Sequence, residues 1–132
     1  MSTFVDTSAL LAVLDADDTQ HARAARAWTD LLDGDEPLLT SNYVLVEVAA
    51  LAQARLGLDA VRALDADIVP ALAVVWVDES RHRAAMRAVL TARRRGLSLV
   101  DCVSFDTMRQ AGSRRAFAFD RHFQQQGFEL IP

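Results

Sequence analysis

Short apolar runs that alternate with longer segments of helical period constrain this chain more than any other feature. Thr3-Phe4-Val5, Pro37-Leu38-Leu39-Thr40, Ala73-Val74-Val75-Trp76-Val77, Arg115 to Phe119 and Phe128-Glu129-Leu130-Ile131 read as five short strands. Between them lie stretches whose apolar residues recur every three or four positions. One helix is expected from about Ser8 to Leu14, and another through His21, Ala25, Trp28 and Leu32 until Asp33-Gly34. A third runs through Val44, Val48 and Leu51 to Gly57, capped by Ser41 or Asn42. A fourth covers Leu58 to about Val69 and breaks near Pro70. The last two start at Asp78-Glu79-Ser80 and at Leu99, ending at Arg95-Gly96 and Gly112. Strands alternating with helices define an α/β domain with a short, mostly parallel central sheet of about five strands, covered by helices.

The chain has 132 residues, which fits one domain over residues 1–132 with a core large enough to need no staples. Its single cysteine, Cys102, excludes an internal disulfide framework. No apolar stretch reaches the roughly 18 residues of a membrane span. The start Met1-Ser2-Thr3-Phe4-Val5-Asp6 lacks the basic and apolar regions of a signal peptide. A cytoplasmic protein without a membrane partner is expected.

All 14 basic residues are Arg, and there is no Lys. That absence excludes P-loop and Schiff-base chemistry, which need a lysine amine. It also counts against a phosphotransfer domain that would use Asp6 as nucleophile. The net charge of -4 conceals an asymmetry. Residues 1–77 hold 4 Arg against 12 acids, and residues 78–132 hold 10 Arg against 6 acids. Such a division can set an acidic centre beside a cationic rim.

Most acids lie in loops, on polar helix faces or at helix starts, where solvent and the helix dipole account for them. Four do not. Asp6 and Asp120 each end an apolar strand, at the edge where parallel sheets place ligands. Glu47 interrupts the apolar run Tyr43 to Leu51, and Asp101 interrupts Leu97 to Val103. A buried carboxylate costs several kcal/mol unless it is paired, protonated or bound to a cation. Helices that follow strands begin at the same sheet edge, so Glu47 and Asp101 are expected to face Asp6 and Asp120. Oxygen ligands without Cys or His suit a hard cation, Mg²⁺ or Mn²⁺. Two such ions can clamp an in-line displacement at phosphorus, and a phosphodiester substrate would explain the basic flank.

Phe4-Val5-Asp6-Thr7-Ser8-Ala9-Leu10, Glu47 in its apolar helix, Leu97-Ser98-Leu99-Val100-Asp101 and Phe119-Asp120-Arg121-His122-Phe123 follow the order and spacing of a PIN domain. The closing Gly127-Phe128 agrees, and the resemblance covers nearly the whole chain. At this size the chain resembles the VapC-type toxins of toxin–antitoxin pairs. The resemblance implies a three-layer α/β/α fold and Mg²⁺- or Mn²⁺-dependent endoribonuclease activity. It also implies an RNA substrate, a VapB-like antitoxin and a homodimer. By position, Asp6, Glu47, Asp101 and Asp120 would be the catalytic, metal-binding acids, with Ser8 supporting Asp6. Ala118 departs from the pattern, since many relatives carry Thr or Ser there. An RNA-binding relative without catalysis is the alternative reading.

Arg93-Arg94-Arg95, Arg114-Arg115 and Arg121 flank the acidic segments and can hold phosphates or serve as helix-end caps. His21 and His82 read as flank residues, while His122 lies inside the last acidic motif. Cys102 reads as a small buried apolar residue. Trp28, Trp76 and Phe105 read as core or dimer packing.

Overall fold

β1 (Thr3–Val5) lies at the centre of a five-stranded parallel sheet in the order β3-β2-β1-β4-β5. The computed structural model describes residues 1–132. β2 is Leu38–Ser41, β3 is Ala73–Val75, β4 is Arg115–Phe117 and β5 is Glu129–Ile131. Phe4 aligns with Leu39 on one side and Ala116 on the other, so the carboxyl ends of β1, β2 and β4 share one edge.

The chain steps outward from β1 to β2 and β3, then crosses back to β4 and β5. Crossovers between parallel strands are right-handed, so reversing the direction moves the connecting helices to the opposite face. The first group is α1 (Thr7–Leu14), α2 (His21–Asp33), α3 (Asn42–Leu56) and α4 (Leu58–Ala63). The second is α5 (Glu79–Ala92), α6 (Leu99–Ala111) and the short α7 (His122–Gln125). The result is the expected α/β/α layering, with every strand pair parallel.

Phe4, Leu10, Met108, Phe117 and Phe123 are fully buried between the layers. Phe123 meets Phe105 edge-on at 5.1 Å between ring centroids and lies 6.2 Å from Phe4. Trp28 stacks on Phe117. Burying each such side chain contributes about 2 kcal/mol. α7 has only four residues, and it is held by Phe123 rather than by its own helicity.

Several segments differ from the sequence-based expectation: β4 ends at Phe117 rather than Phe119, and α7 has no counterpart in it. After α4 the chain widens into one π-helical turn, Leu64–Ile68, and tightens into a 3₁₀ turn, Val69–Ala71. Pro70 has no N–H and its ring would clash with the carbonyl four residues earlier, so a regular helix cannot continue. The Val69 N–H reaches back to the Leu64 carbonyl instead, and Leu64 and Ile68 are both buried. Trp76 is not in the core but 74% exposed. β3 is an edge strand whose pairing stops at Val75, and the Val77 N–H turns to Asn42 Oδ1 at 2.7 Å. No helix is long and apolar enough to cross a membrane.

Candidate metal centre

The strand order reverses at β1, which opens a crevice beyond the carboxyl ends of β1 and β4. Asp6 is the first residue after β1, and Asp120 follows β4 by three residues. Asp101 is the third residue of α6, and His122 opens α7. Three of the four acids picked out in the sequence therefore border one crevice.

Asp6 caps α1. Its Oδ2 accepts hydrogen bonds from the Ser8 N–H at 3.1 Å and the Ser8 hydroxyl at 2.6 Å. Ser8 Oγ in turn accepts from the Phe119 N–H at 3.0 Å, so one hydroxyl ties β1 to the segment after β4. Asp6 Oδ1 takes no hydrogen bond from the protein. Burial pushes the Asp6 carboxyl up to about 6, and the nearby Asp101 and Asp120 carboxylates raise it too. The two Ser8 hydrogen bonds pull the other way without cancelling the desolvation.

Asp101 has two tasks. It closes a capping box with Ser98, taking the Ser98 N–H on Oδ2 at 3.0 Å while Ser98 Oγ accepts the Asp101 N–H at 3.0 Å. The box fixes the carboxylate at the positive end of α6, with Oδ1 left unbonded. Even so, burial holds its carboxyl above the ordinary range, helped by the Asp120 charge.

Asp120 Oδ1 accepts the His122 N–H at 2.9 Å, a two-residue turn that orients it without any hydroxyl at Ala118. The same turn brings His122 Nδ1 to 3.0 Å from Asp120 Oδ1 and 3.5 Å from Asp101 Oδ2. One ligating atom from each of Asp101, Asp120 and His122 lies within 4.8 Å of the others. His122 Nδ1 is buried and makes no hydrogen bond.

Glu47 is half-buried on α3, and its carboxylate, like that of Asp6, lies outside that 4.8 Å group. It lines a neighbouring hollow with Asn42, Tyr43, Val46 and Val100, the residue before Asp101. Among the arginines, Arg115 is drawn away from the crevice by Glu36 at 3.4 Å. Arg94 bonds Gln125 at 3.1 Å, and Arg121 is exposed beside Asp120. Arg23 lies over the Phe119 ring, and Arg55 shares a hollow with Ser8 and Phe119. Cys102 is buried, and burial raises its thiol, as suits a packing residue.

No arginine pairs with Asp6, Asp101 or Asp120. Converging carboxylates, two of them (Asp6 and Asp101) pushed up by burial, with no basic partner other than an imidazole, form a site short of positive charge. Free Oδ1 atoms on Asp6 and Asp101, together with the unbonded His122 nitrogen, supply donors of the kind a divalent cation takes. The residues present fit such an ion.

A parallel α/β/α domain with an acidic cluster at its switch point is the architecture of the PIN domains. The PIN domain pattern matches residues 3–129, and the chain belongs to that family. Over 126 residues it is 34% identical to a Mycobacterium tuberculosis protein named 23S rRNA-specific endonuclease VapC20, spanning 95% of this chain and 94% of that one. The crystal structure of VapC20, described as a sarcin-ricin loop cleaving toxin, superposes with a TM-score of 0.87 over 99% of this chain and all of that one. VapBC2 from Rickettsia felis shares the fold at a TM-score of 0.69 and 10% identity, covering 98% and 97% of the two chains. FitAcB from Neisseria gonorrhoeae shares it at 0.67 and 16%, covering 98% and 96%.

Proposed function

We propose that this chain is a divalent-metal-dependent endoribonuclease, the toxin of a toxin–antitoxin pair, and that it cuts 23S rRNA. The observation that carries the reading is the convergence of Asp6, Asp101 and Asp120 at the switch point without an arginine counter-ion. The likeness to VapC20 along nearly the whole chain supports the substrate class.

In this reading Asp6, Glu47, Asp101 and Asp120 are the catalytic acids and hold Mg²⁺ or Mn²⁺. Bound by these acids, such an ion would supply Lewis-acid polarisation of a phosphoryl oxygen and a water acidic enough to serve as nucleophile. The chain's own residues fix the geometry around it. Ser8 aims Asp6, the Ser98 capping box aims Asp101, and the turn to His122 aims Asp120. The exposed Arg121 borders the crevice, where it can hold RNA phosphates by a contact that weakens with salt.

The partners proposed are a VapB-like antitoxin and a second copy of the chain. Val46 on α3, Leu58 on α4, Trp76, and Met86 and Leu90 on α5 are large apolar residues left exposed. Apolar surface of this kind supports cover by a protein partner.

Incubation of ribosomes and of purified rRNA with wild type and Asp101→Asn, with Mg²⁺ or Mn²⁺ and with EDTA, tests the reading. Discrete new 5′ ends in 23S rRNA that need both the metal and Asp101 are expected. Cleavage at the wild-type rate by Asp101→Asn overturns the site, and ends confined to other RNAs overturn the substrate.

A further inference from the structure

We infer that His122 contributes its Nδ1 as a nitrogen ligand to the cation, which makes the site a mixed carboxylate–imidazole centre that favours Mn²⁺ over Mg²⁺. This rests on the metal-centre reading above. The sequence alone pointed to an all-oxygen set, and the geometry of one side chain changes that.

Three observations carry the inference. His122 Nδ1 is buried and has no hydrogen-bond partner, which is costly for a ring nitrogen unless something else occupies its lone pair. It lies 3.0 Å from Asp120 Oδ1 and 3.5 Å from Asp101 Oδ2, within ion-pair distance of both when protonated but without hydrogen-bond geometry to either. Two donors on adjacent corners of an octahedron with bonds of about 2.1 Å stand about 3 Å apart, each about 45° off the other's bond axis. A contact that far off axis is too bent for a good hydrogen bond. The 3.0 Å spacing from Asp120 Oδ1 and the missing hydrogen bond thus fit adjacent ligands of one ion.

The third observation is rigidity. His122 begins α7, and the next residue, Phe123, is fully buried against Phe105 and Phe4. On its other side the ring faces Gly96, where an added Cβ would make ordinary contact with Cε1 and Nε2 at 3.8 Å. The His122 backbone is held in place by Phe123 before any ion arrives, so little ordering is needed on binding. Of the two ions, the transition metal Mn²⁺ takes an imidazole nitrogen more readily, whereas Mg²⁺ prefers oxygen and keeps its waters.

The test uses Mn²⁺ alone as the probe, on the full chain without RNA. Electron spin-echo envelope modulation of the Mn²⁺ complex should show one directly coordinated ¹⁴N in wild type and none in His122→Ala. Calorimetric titration should show Mn²⁺ binding about tenfold weaker in His122→Ala, with Mg²⁺ binding changed less. A wild-type spectrum without coordinated ¹⁴N, or an unchanged preference between the two ions in the variant, overturns the inference. Asp101→Asn separates the two levels. If it abolishes Mn²⁺ binding while His122→Ala does not weaken it, the metal centre stands and the imidazole ligand falls. If neither change affects Mn²⁺, both readings fall. Circular dichroism of His122→Ala should stay native, since the side chain is partly exposed and Phe123 still anchors α7.

Discussion

The Ser8 hydroxyl accepts the Phe119 N–H at 3.0 Å while donating to Asp6 at 2.6 Å, and so joins the two strand ends that frame the crevice. Phe119 precedes Asp120, so the same bond fixes the approach of the second acid. One small side chain thereby couples the placement of two carboxylates that are distant in sequence.

Ser8→Ala should cost about 1–3 kcal/mol, because it removes a donor from a buried carboxylate and strands the Phe119 N–H. Its effect on the site should be larger than that on the fold. Without the hydroxyl donor the Asp6 carboxyl rises further, and less of it is ionised for a cation at neutral pH. Urea unfolding and Mn²⁺ titration of wild type, Ser8→Ala and Ser8→Thr check this. Loss of affinity in the Ala variant with recovery in Thr is expected, and equal affinity in all three would remove the role given to the hydroxyl.

Asp6 gives a pH dependence whose sign is fixed. Its folded value of about 6 lies above the ordinary 3.8, so between the two the folded chain keeps a proton that the unfolded chain releases. Stability from this group is therefore greatest below 3.8 and falls as pH rises through 6. Asp6→Asn removes the titration. Free of metal, it should melt above wild type near neutral pH and lose that advantage by about pH 4. Saturating Mn²⁺ should reverse the order at neutral pH, since wild type binds the ion better. A melting difference that does not vary with pH would sink the account of a strained buried acid.

The apolar runs that ended in Asp6 and Asp120 were legible because a parallel strand with covered faces leaves few polar positions, and those fall at its ends. Asp101 was legible for the same reason within a buried helix turn, although its bond to Ser98 shows that a cap and a ligand can be one side chain. His122 was seen only as part of a motif. Its place depends on a four-residue helix with no periodic pattern, fixed by a single buried Phe. The strand through Trp76 was read too long because composition carries it to Val77, whereas hydrogen-bond pairing with β2 ends at Val75 and leaves Trp76 open to a partner rather than to the core. The π turn after α4 has no pattern of its own, and Pro70 marks only where it must end.

Phe123 should matter to the site as well as to the core. Phe123→Ala should cost about 3–5 kcal/mol through lost burial and a cavity between Phe4 and Phe105. Phe123→Leu should fold with a smaller loss and leave α7 loosely seated. The expected result for Phe123→Leu is weaker Mn²⁺ binding with a native far-ultraviolet spectrum, measured by calorimetry on the folded variant. Unchanged affinity would mean that His122 and Asp120 are held by their turn alone.

Glu47 is expected to be the weakest of the four acids. Its carboxylate and that of Asp6 both stand outside the group formed by Asp101, Asp120 and His122, but Asp6 feels the charges of Asp101 and Asp120 whereas Glu47 lines a separate hollow with Val100. From that hollow Glu47 would help hold a cation through an intervening water, more weakly than a direct bond. Glu47→Gln should therefore lower the cleavage rate about tenfold, whereas Asp101→Asn should abolish it, and Mn²⁺ affinity should follow the same order. The fold should be untouched, because Glu47 is half-buried and makes no hydrogen bond that the amide would lose. Single-turnover cleavage beside Mn²⁺ titration of both variants decides the matter. Loss in Glu47→Gln as complete as in Asp101→Asn would place Glu47 directly on the cation, with its side chain swinging out of the hollow to reach it.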